Sequence, residues 1–362
     1  MGGGDRGEEL CEALRDCRGR GASVRIVGSG SKSFLTAAAA SRTPDPPALS
    51  TTDHSGVLDY RPEELVITAR AGTPLREVER QLAEADQQLP FEPPRFHGGG
   101  TLGGAVACGL SGPGRPWRGS VRDAVLGVEL CNGLGERLRF GGQVMKNVAG
   151  YDVSRLQVGA FGTLGLLLAI SVKVLPRPAA QETRTFEVDA GAALELCRRW
   201  AARPYPITAT CFLGGLLRVR LAGAEPALRA AATALGGDRE RNDGFWDELR
   251  DQRLSFFAEP GLWRGSLPPA AAAPLDGCLV TWGGGERWWR PPDPAAAAAL
   301  LAAHGGHGRP FDDSFGLRVG RYVPAVERHY GDRLRRAFDP DGVLNPDLSV
   351  GQPTARARRD AD

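Results

Sequence analysis

Lysine is nearly missing from this 362-residue chain: three lysines stand against 42 arginines, the arginines are dispersed, and the formal net charge is only +2. Nucleic-acid binding through the phosphate backbone needs a concentrated basic face, so that class is disfavoured. Long apolar runs are missing too. The longest, residues 160–170, is interrupted by glycines and falls short of the roughly 18–20 residues that span a bilayer. The seven cysteines (Cys11, Cys17, Cys108, Cys131, Cys197, Cys211 and Cys278) are scattered and never spaced as CxxC. Iron–sulfur and structural zinc sites need clustered thiolates, so free thiols in a reducing compartment are expected, with no metal. The first residues, MGGGDRGEELCEAL, carry acids where a signal peptide carries bases and then an apolar run. A soluble, cytoplasmic chain is the resulting expectation.

Glycine and proline are plentiful and punctuate the chain. Residues 8–18 place Leu10, Ala13, Leu14 and Cys17 at helical spacing, and residues 23–27 read as a short buried strand that runs into a Gly28-Ser29-Gly30-Ser31-Lys32 turn. A strand at 56–60, a β-branched run at 65–69 and a helix at 73–85 follow. Thr73 suits that helix's N-cap, Pro74 its first position, and Leu75, Val78 and Leu82 its apolar face. Residues 90–119 form a Gly- and Pro-dense tract of the length that compact domains keep for function. Next, residues 121–131 and 137–140 flank Asn132-Gly133 as a hairpin. After Pro176-Arg177-Pro178 the pattern changes to β-α-β-β-α, a split βαβ, ferredoxin-like unit. A second hairpin (277–282, 287–290), an alanine-rich helix (293–303), a helix at 324–338 and a polar tail from 352 complete the chain.

Two glycine loops invite a phosphate-binding reading, and neither fits a standard fingerprint. At residues 28–33 Ser31 stands where a Walker A loop needs Gly before Lys, and Ser33 where a dinucleotide fingerprint needs its third glycine. A tight turn remains, whose consecutive N–H groups are able to form an anion nest. Gly98, Gly100 and Gly103 match GxGxxG, but PFEPPRF before them is no strand. A diphosphate gripped between the two loops accounts for both.

The stretch GGQVMKNVAGYDVSRLQVGAFGTLGLLLAISVKVLP, residues 141–176, interleaves glycines and polar groups before an apolar strand, the composition of backbone brought against a large, flat, polar-edged ligand. Together with RIVGSGSK, LPFEPPRFHGGGTLGGAVACGLSGPGRPWRGSVRDAVLGVEL and FDPDGVLNP, it resembles the flavoproteins of the vanillyl-alcohol oxidase type, whose FAD domain is the PCMH type. Within that superfamily the strings PWRGSVRDAVLG, MKNVAGYDVSRLQVG and GGHGRPF resemble the E subunits of bacterial glycolate oxidases, over about residues 8–350. The resemblance implies an α+β chain: a two-subdomain PCMH-type FAD domain (1–178), a ferredoxin-like α+β cap on the substrate side (179–320), a C-terminal return segment (321–351) and a disordered tail (352–362).

By the same resemblance, Arg25 with Gly28, Ser29, Gly30, Ser31 and Lys32 holds the FAD diphosphate. Thr101, Gly103 and Gly104 approach its other side and the flavin edge. Ser111, Arg118, Gly119, Ser120 and Asp123 wall the ribityl and isoalloxazine region, and Asn147, Gly150 and Asp152 continue that wall. Gly162, Thr163, Leu164, Gly165 and Leu167 meet the adenine end. On spacing alone, Asn147 and Asp152 read equally as satisfied loop residues. Covalent flavin tethers in relatives use a His or Cys in the first loop; residues 28–33 have neither, so non-covalent FAD is implied, with His97 left as a loop histidine.

The histidine-rich centre of the superfamily's 2-hydroxy-acid dehydrogenases has no full counterpart. His304 and His307, beside Arg309 and Asp312-Asp313, could serve as metal ligands or as a base, and could equally mark a loop after a helix. The implied function is the FAD subunit of a heteromeric glycolate oxidase, oxidising 2-hydroxy acids to 2-oxo acids with a D-type flavoprotein partner and an F-type iron–sulfur partner, through which it would sit at the inner membrane. Two alternatives stay open: a stand-alone hydroxy-acid or sugar-alcohol dehydrogenase using His307, Arg318 and Arg321 on its substrate, and a flavin-bearing assembly subunit. A nucleotide-sugar reductase is disfavoured for want of a nicotinamide site.

Overall fold

The computed structural model describes residues 4–35, 46–97, 99–142, 152–241, 244–271, 276–312 and 325–348. Helix Gly7–Gly19 buries Leu10, Cys11, Leu14 and Cys17, one stripe at three- and four-residue steps. Strand Arg25–Val27 pairs in parallel with Ala48–Ser50 and then turns into the first glycine loop. Five antiparallel strands form the main sheet of this half, in the order Val57–Arg61, Val66–Arg70, Leu166–Lys173, Val125–Cys131, Arg137–Gly141. The central strand is the apolar run that closes the 141–176 stretch, and it is covered on both faces. Leu167 enters a core with helices Leu75–Ala83 and Leu102–Cys108, whereas Leu166 and Leu168 enter another with helix Gly7–Gly19.

The second half is an eight-stranded antiparallel sheet ordered Asp238–Glu240, Ala180–Glu187, Leu216–Gly223, Ile207–Leu213, Leu279–Thr281, Glu286–Trp289, Trp263–Ser266, His307–Pro310. The ferredoxin-like unit is thus only part of it, and the later hairpin and two further strands extend the same sheet. Helices Ala190–Ala201 and Glu225–Leu235 cover one face. On the other, Ala209, Cys211, Leu279, Trp288 and Phe311 pack with Leu35, Phe96 and Leu110 of the first half, so the second sheet lies directly over the glycine loops. An ion triad fastens this seam: Glu92 accepts from Arg118 at 3.1 Å and pairs with Arg220 of strand Leu216–Gly223 at 2.7 Å, all three side chains being largely buried. Helix Ala325–Phe338 leads into the return segment, where Leu344 bridges Val24 in parallel.

Two local expectations are corrected. Residues 121–124 form a helical turn before the strand begins at Val125, because Ser120 and Asp123 make a reciprocal capping box. Thr73 caps no helix: its hydroxyl donates to the Arg70 carbonyl at 2.7 Å and accepts from Gly56 N–H, leaving Pro74 at the N-cap of Leu75–Ala83. No helix among the described residues is long and apolar enough to cross a membrane.

His54 makes folding sensitive to pH. Its buried ring accepts from Arg6 N–H at Nδ1 (3.0 Å) and its Nε2 donates to the Leu168 carbonyl (3.0 Å), an arrangement open only to the neutral imidazole. Burial lowers its pKa below the ordinary 6.5. The unfolded chain therefore takes up a proton below that pH that the folded chain refuses, and stability falls as pH drops. A Tm series from pH 8 to pH 5 is expected to decline below about 6.5, and His54→Asn to flatten part of the decline at the cost of a lower Tm throughout; an unchanged slope in the variant would remove this role.

Candidate functional site

Where the first strand ends, four backbone segments converge on a cavity of about 390 Å³: the turn at 28–33, the start of helix Leu102–Cys108, the loop at 161–167 and the return segment at 345–348. Gly30 has a left-handed backbone, φ +75°, which folds the turn back on itself. Close approach explains the neighbouring glycines. A Cβ on Gly28 would lie 2.7 Å from Thr101 Oγ1, and one on Gly103 within 2.9 Å of the Ala71 carbonyl, to which Gly103 N–H donates. Thr101 caps the helix by accepting from Gly104 N–H at 3.1 Å.

Asn345 closes the cavity. Its Oδ1 accepts from Ile26 N–H at 2.7 Å, its Nδ2 donates to the Phe161 carbonyl at 2.6 Å, and its own N–H donates to the Val24 carbonyl. Gly162 is required beside it, since a Cβ there would come within 2.8 Å of Nδ2. The cavity contains one buried cation, Lys32, which has no carboxylate partner among the described residues and lies 5.7 Å from the Phe96 ring; burial lowers its pKa. Amides of a tight turn, hydroxyls and an unneutralised ammonium make a container for a large ligand with an anionic middle.

A second cavity of about 610 Å³ adjoins the first, sharing Cys108, Phe161 and Leu348 with it. One wall is the face of the second sheet, where register sets Arg264 opposite Arg309 and Ser266 opposite both His307 and Glu286. Glu286 is engaged, accepting from Arg264 at 2.6 Å and from the Thr281 hydroxyl at 2.6 Å. Trp282 lies beneath both Arg115 (4.5 Å) and Arg264 (5.3 Å). Burial, aided by the like charge of Arg264, pushes the Arg309 guanidinium down to about 10, so it stays charged at neutral pH.

The residues named from the sequence fall into three groups. Arg25, Gly28, Ser29, Gly30, Ser31, Lys32, Thr101, Gly103, Gly104, Gly162, Gly165 and Leu167 line the smaller cavity, and Ser120, Thr163, Leu164 and His307 the larger. Others support these walls from behind. Ser111 accepts from Val121 N–H, Arg118 pairs with Glu92, Gly119 (φ +99°) and Asp123 shape the capping box, and Asp152 caps helix Val153–Leu156. Asn147, Gly150, Arg318 and Arg321 lie outside the described residues. Sequence reasoning missed Asn345, Arg115, Arg264, Trp282 and Glu286. No local signal singled them out: Arg264, between buried Trp263 and Gly265, is half-buried like Ser266 in an alternating strand. Among the described residues, no three His, Cys, Asp or Glu side chains are grouped to hold a metal ion.

Removing the Asn345 carboxamide leaves the Ile26 N–H and Phe161 carbonyl without their partners. Asn345→Ala is expected to cost about 1–3 kcal/mol of stability and to speed loss of whatever the smaller cavity holds; thermal melts and ligand-release rates matching the wild type would show that the clasp does not shape this cavity.

Comparison with known proteins agrees with this geometry. Residues 5–141 match the family model described as an FAD binding domain. The glycolate oxidase subunit GlcE of Escherichia coli (strain K12) is 43% identical over 346 residues, covering 94% of this chain and 97% of its own. The subunit GlcD of Bacillus subtilis (strain 168) is 32% identical over 35% of this chain and 27% of its own, and rat mitochondrial D-2-hydroxyglutarate dehydrogenase 30% over 48% and 32%. A solved alkyldihydroxyacetonephosphate synthase superposes with a TM-score of 0.65 at 16% identity, covering 94% of this chain and 75% of that one, and so shares the fold. With an FAD binding domain in its first half and near full-length identity to GlcE, this chain belongs to the family of the glycolate oxidase subunit GlcE, among the FAD-linked oxidoreductases.

Proposed function

We propose that this chain is the FAD-bearing subunit of a heteromeric glycolate oxidase, working with a D-type flavoprotein and delivering electrons to an F-type iron–sulfur subunit. The observation that carries the reading is the pair of adjoining cavities, one walled by close-packed glycine loops and one by arginines, in a chain 43% identical to GlcE. The smaller cavity suits the cofactor on physical grounds. Gly28 and Gly103 let the backbone pack against Thr101 and Ala71, Gly104 leaves the wall beside Thr101 Oγ1 free of a side chain, and Lys32 is a buried cation in want of an anion. The turn at 28–32 and Lys32 would hold the diphosphate, with Thr101, Gly103 and Gly104 opposite, Leu167 and Gly162 beside the adenine end, and Ser120 and Thr163 toward the second cavity.

Bound FAD supplies two-electron acceptance from a hydroxy acid. The chain's own contribution is to bind, to orient and to exclude water. Attachment is non-covalent in this reading. Cys108 is the one thiol lining both cavities, and burial raises its pKa so that it stays protonated and poorly nucleophilic. His97 is an exposed residue with φ +52° and lines neither cavity. The larger cavity is poorly furnished for proton abstraction, since Glu286 is bound by Arg264 and Thr281 and His307 stands exposed at the edge of the wall. That scarcity of a free buried base among the described residues favours placing most of the turnover in the D-type partner, with this flavin accepting or relaying electrons.

Purification of the chain tests the reading. A yellow protein with about one FAD per chain, inert toward glycolate and dye alone but active once the D- and F-type partners are added, is the expected result; a well-folded colourless protein that takes up no FAD would sink it. Gly104→Val, which pushes a side chain against Thr101 Oγ1 and into the cavity, is expected to weaken FAD at least about tenfold, roughly 1.4 kcal/mol. His307→Ala is expected to keep its full flavin content. The reverse outcome in absorbance at the flavin band would misplace both residues.

A further inference from the structure

Cross-strand register arranges the sheet beside the larger cavity in two rows. Ser266 lies opposite both His307 and Glu286, and Arg264 opposite both Arg309 and Trp288, so these six side chains share one face of the sheet. Gly265 and Gly308, between the rows, belong to the other face, where a Cβ on either would run into Leu301. The polar row of His307, Ser266 and Glu286 is thus set one step from the row that carries Arg309 and Arg264.

Charge on the cavity wall is offset except at one place. Glu286 accepts from Arg264 at 2.6 Å, and Arg335 pairs with Asp339 and faces Asp332. Arg122 and Arg115 stand exposed to water, and Arg115 also feels Glu286 and Asp123. Arg309 alone among the described arginines of this wall is both half-buried and without a carboxylate partner; its neighbour across the strands is another guanidinium, Arg264. Holding such a charge in a partly dehydrated wall is unfavourable unless an anion arrives to offset it. Its position is as telling as its charge. The guanidinium lies over the Phe161 ring at 5.3 Å, and Phe161 lines both cavities, so an anion held there sits at the passage between them.

We propose that the larger cavity is a binding site for a small monocarboxylate, a 2-hydroxy or 2-oxo acid, whose carboxylate is anchored in bidentate fashion by Arg309 at the passage to the cofactor cavity. One uncompensated charge calls for one carboxylate. A second on the same ligand would meet Glu286 and Asp332, the acids that line this cavity, whereas a hydroxyl or keto oxygen next to the carboxylate suits the row of Ser266 and His307. The inference deepens the reading of the smaller cavity as the flavin's and rests on it. Anchoring the acid and removing its proton become separate tasks: this chain holds the acid, and among its described residues no free buried base stands ready to deprotonate it.

The test uses the purified full chain with its FAD content measured first, and calorimetric titration with acetate and with acetamide, which have nearly the same shape, differ in charge and carry no 2-hydroxyl to oxidise. Acetate is expected to bind saturably and at least about tenfold tighter than acetamide, by the usual weight of a charge-assisted pair. Glycolate is expected to displace it, and malonate to gain nothing from its second carboxylate. Arg309→Met should erase the preference for acetate. Arg309→Lys, which keeps the charge and loses the fork, should retain part of it and covers a Met variant that fails to fold. Arg122→Gln, at the exposed mouth where charge is screened, should shift neither affinity by more than about twofold. Equal affinity for acetate and acetamide, a preference that survives in Arg309→Met, or glycolate that fails to compete would overturn the proposal, as would malonate binding tighter than acetate. Flavin content separates the two readings: a chain that takes up no FAD yet shows the Arg309-dependent preference refutes the cofactor assignment alone, and a yellow chain without that preference refutes the carboxylate site alone.

Discussion

The carboxamide of Asn345 joins the first strand, the 161–167 loop and the return segment by hydrogen bonds of 2.6–2.7 Å at its two ends. Ile26 and Phe161 bring main-chain groups to the meeting point, and the Asn345 side chain gives each the partner that a buried peptide group needs. Asn345 itself adopts a left-handed backbone, φ +41°, a conformation that asparagine tolerates better than most residues. Asp339 makes the approach possible by accepting from Val343 and Leu344 N–H, which bends the segment before it reaches Val24.

The two cavities divide labour by charge. Around the smaller one the donors are mostly uncharged main chain and hydroxyl groups, with Lys32 the buried cation among the described residues; around the larger one guanidinium groups dominate and aromatic rings lie under them. Cys108, Phe161 and Leu348 form the boundary, an apolar doorway between a neutral grip and a cationic face. Such a doorway lets a ligand run from one environment to the other while water is kept from the junction.

The first half was largely legible because its loops announce themselves in one dimension. Gly28 and Gly103 occur where close approach forbids a side chain, Gly30 where the turn needs a positive φ, and the apolar strand Leu166–Lys173 has the largely apolar pattern of a doubly covered position. The second half was less so. Strands Trp263–Ser266 and His307–Pro310 are four residues long, contain glycines and carry arginines, so no period marks them; they become strands only by joining a sheet already begun at Ala180. Arg115, Arg264 and Arg309 are separated in sequence by up to 194 positions and meet only through that sheet, and among 42 arginines nothing local distinguished them.

Ile26 and Asn345 are 319 positions apart. The cavity is thus completed by a contact between segments that meet only through folding, and its closure carries the loop-closure entropy of a very long separation. A change that loosens the return segment therefore reaches the first strand and the 161–167 loop directly, through one side chain, without touching either glycine turn.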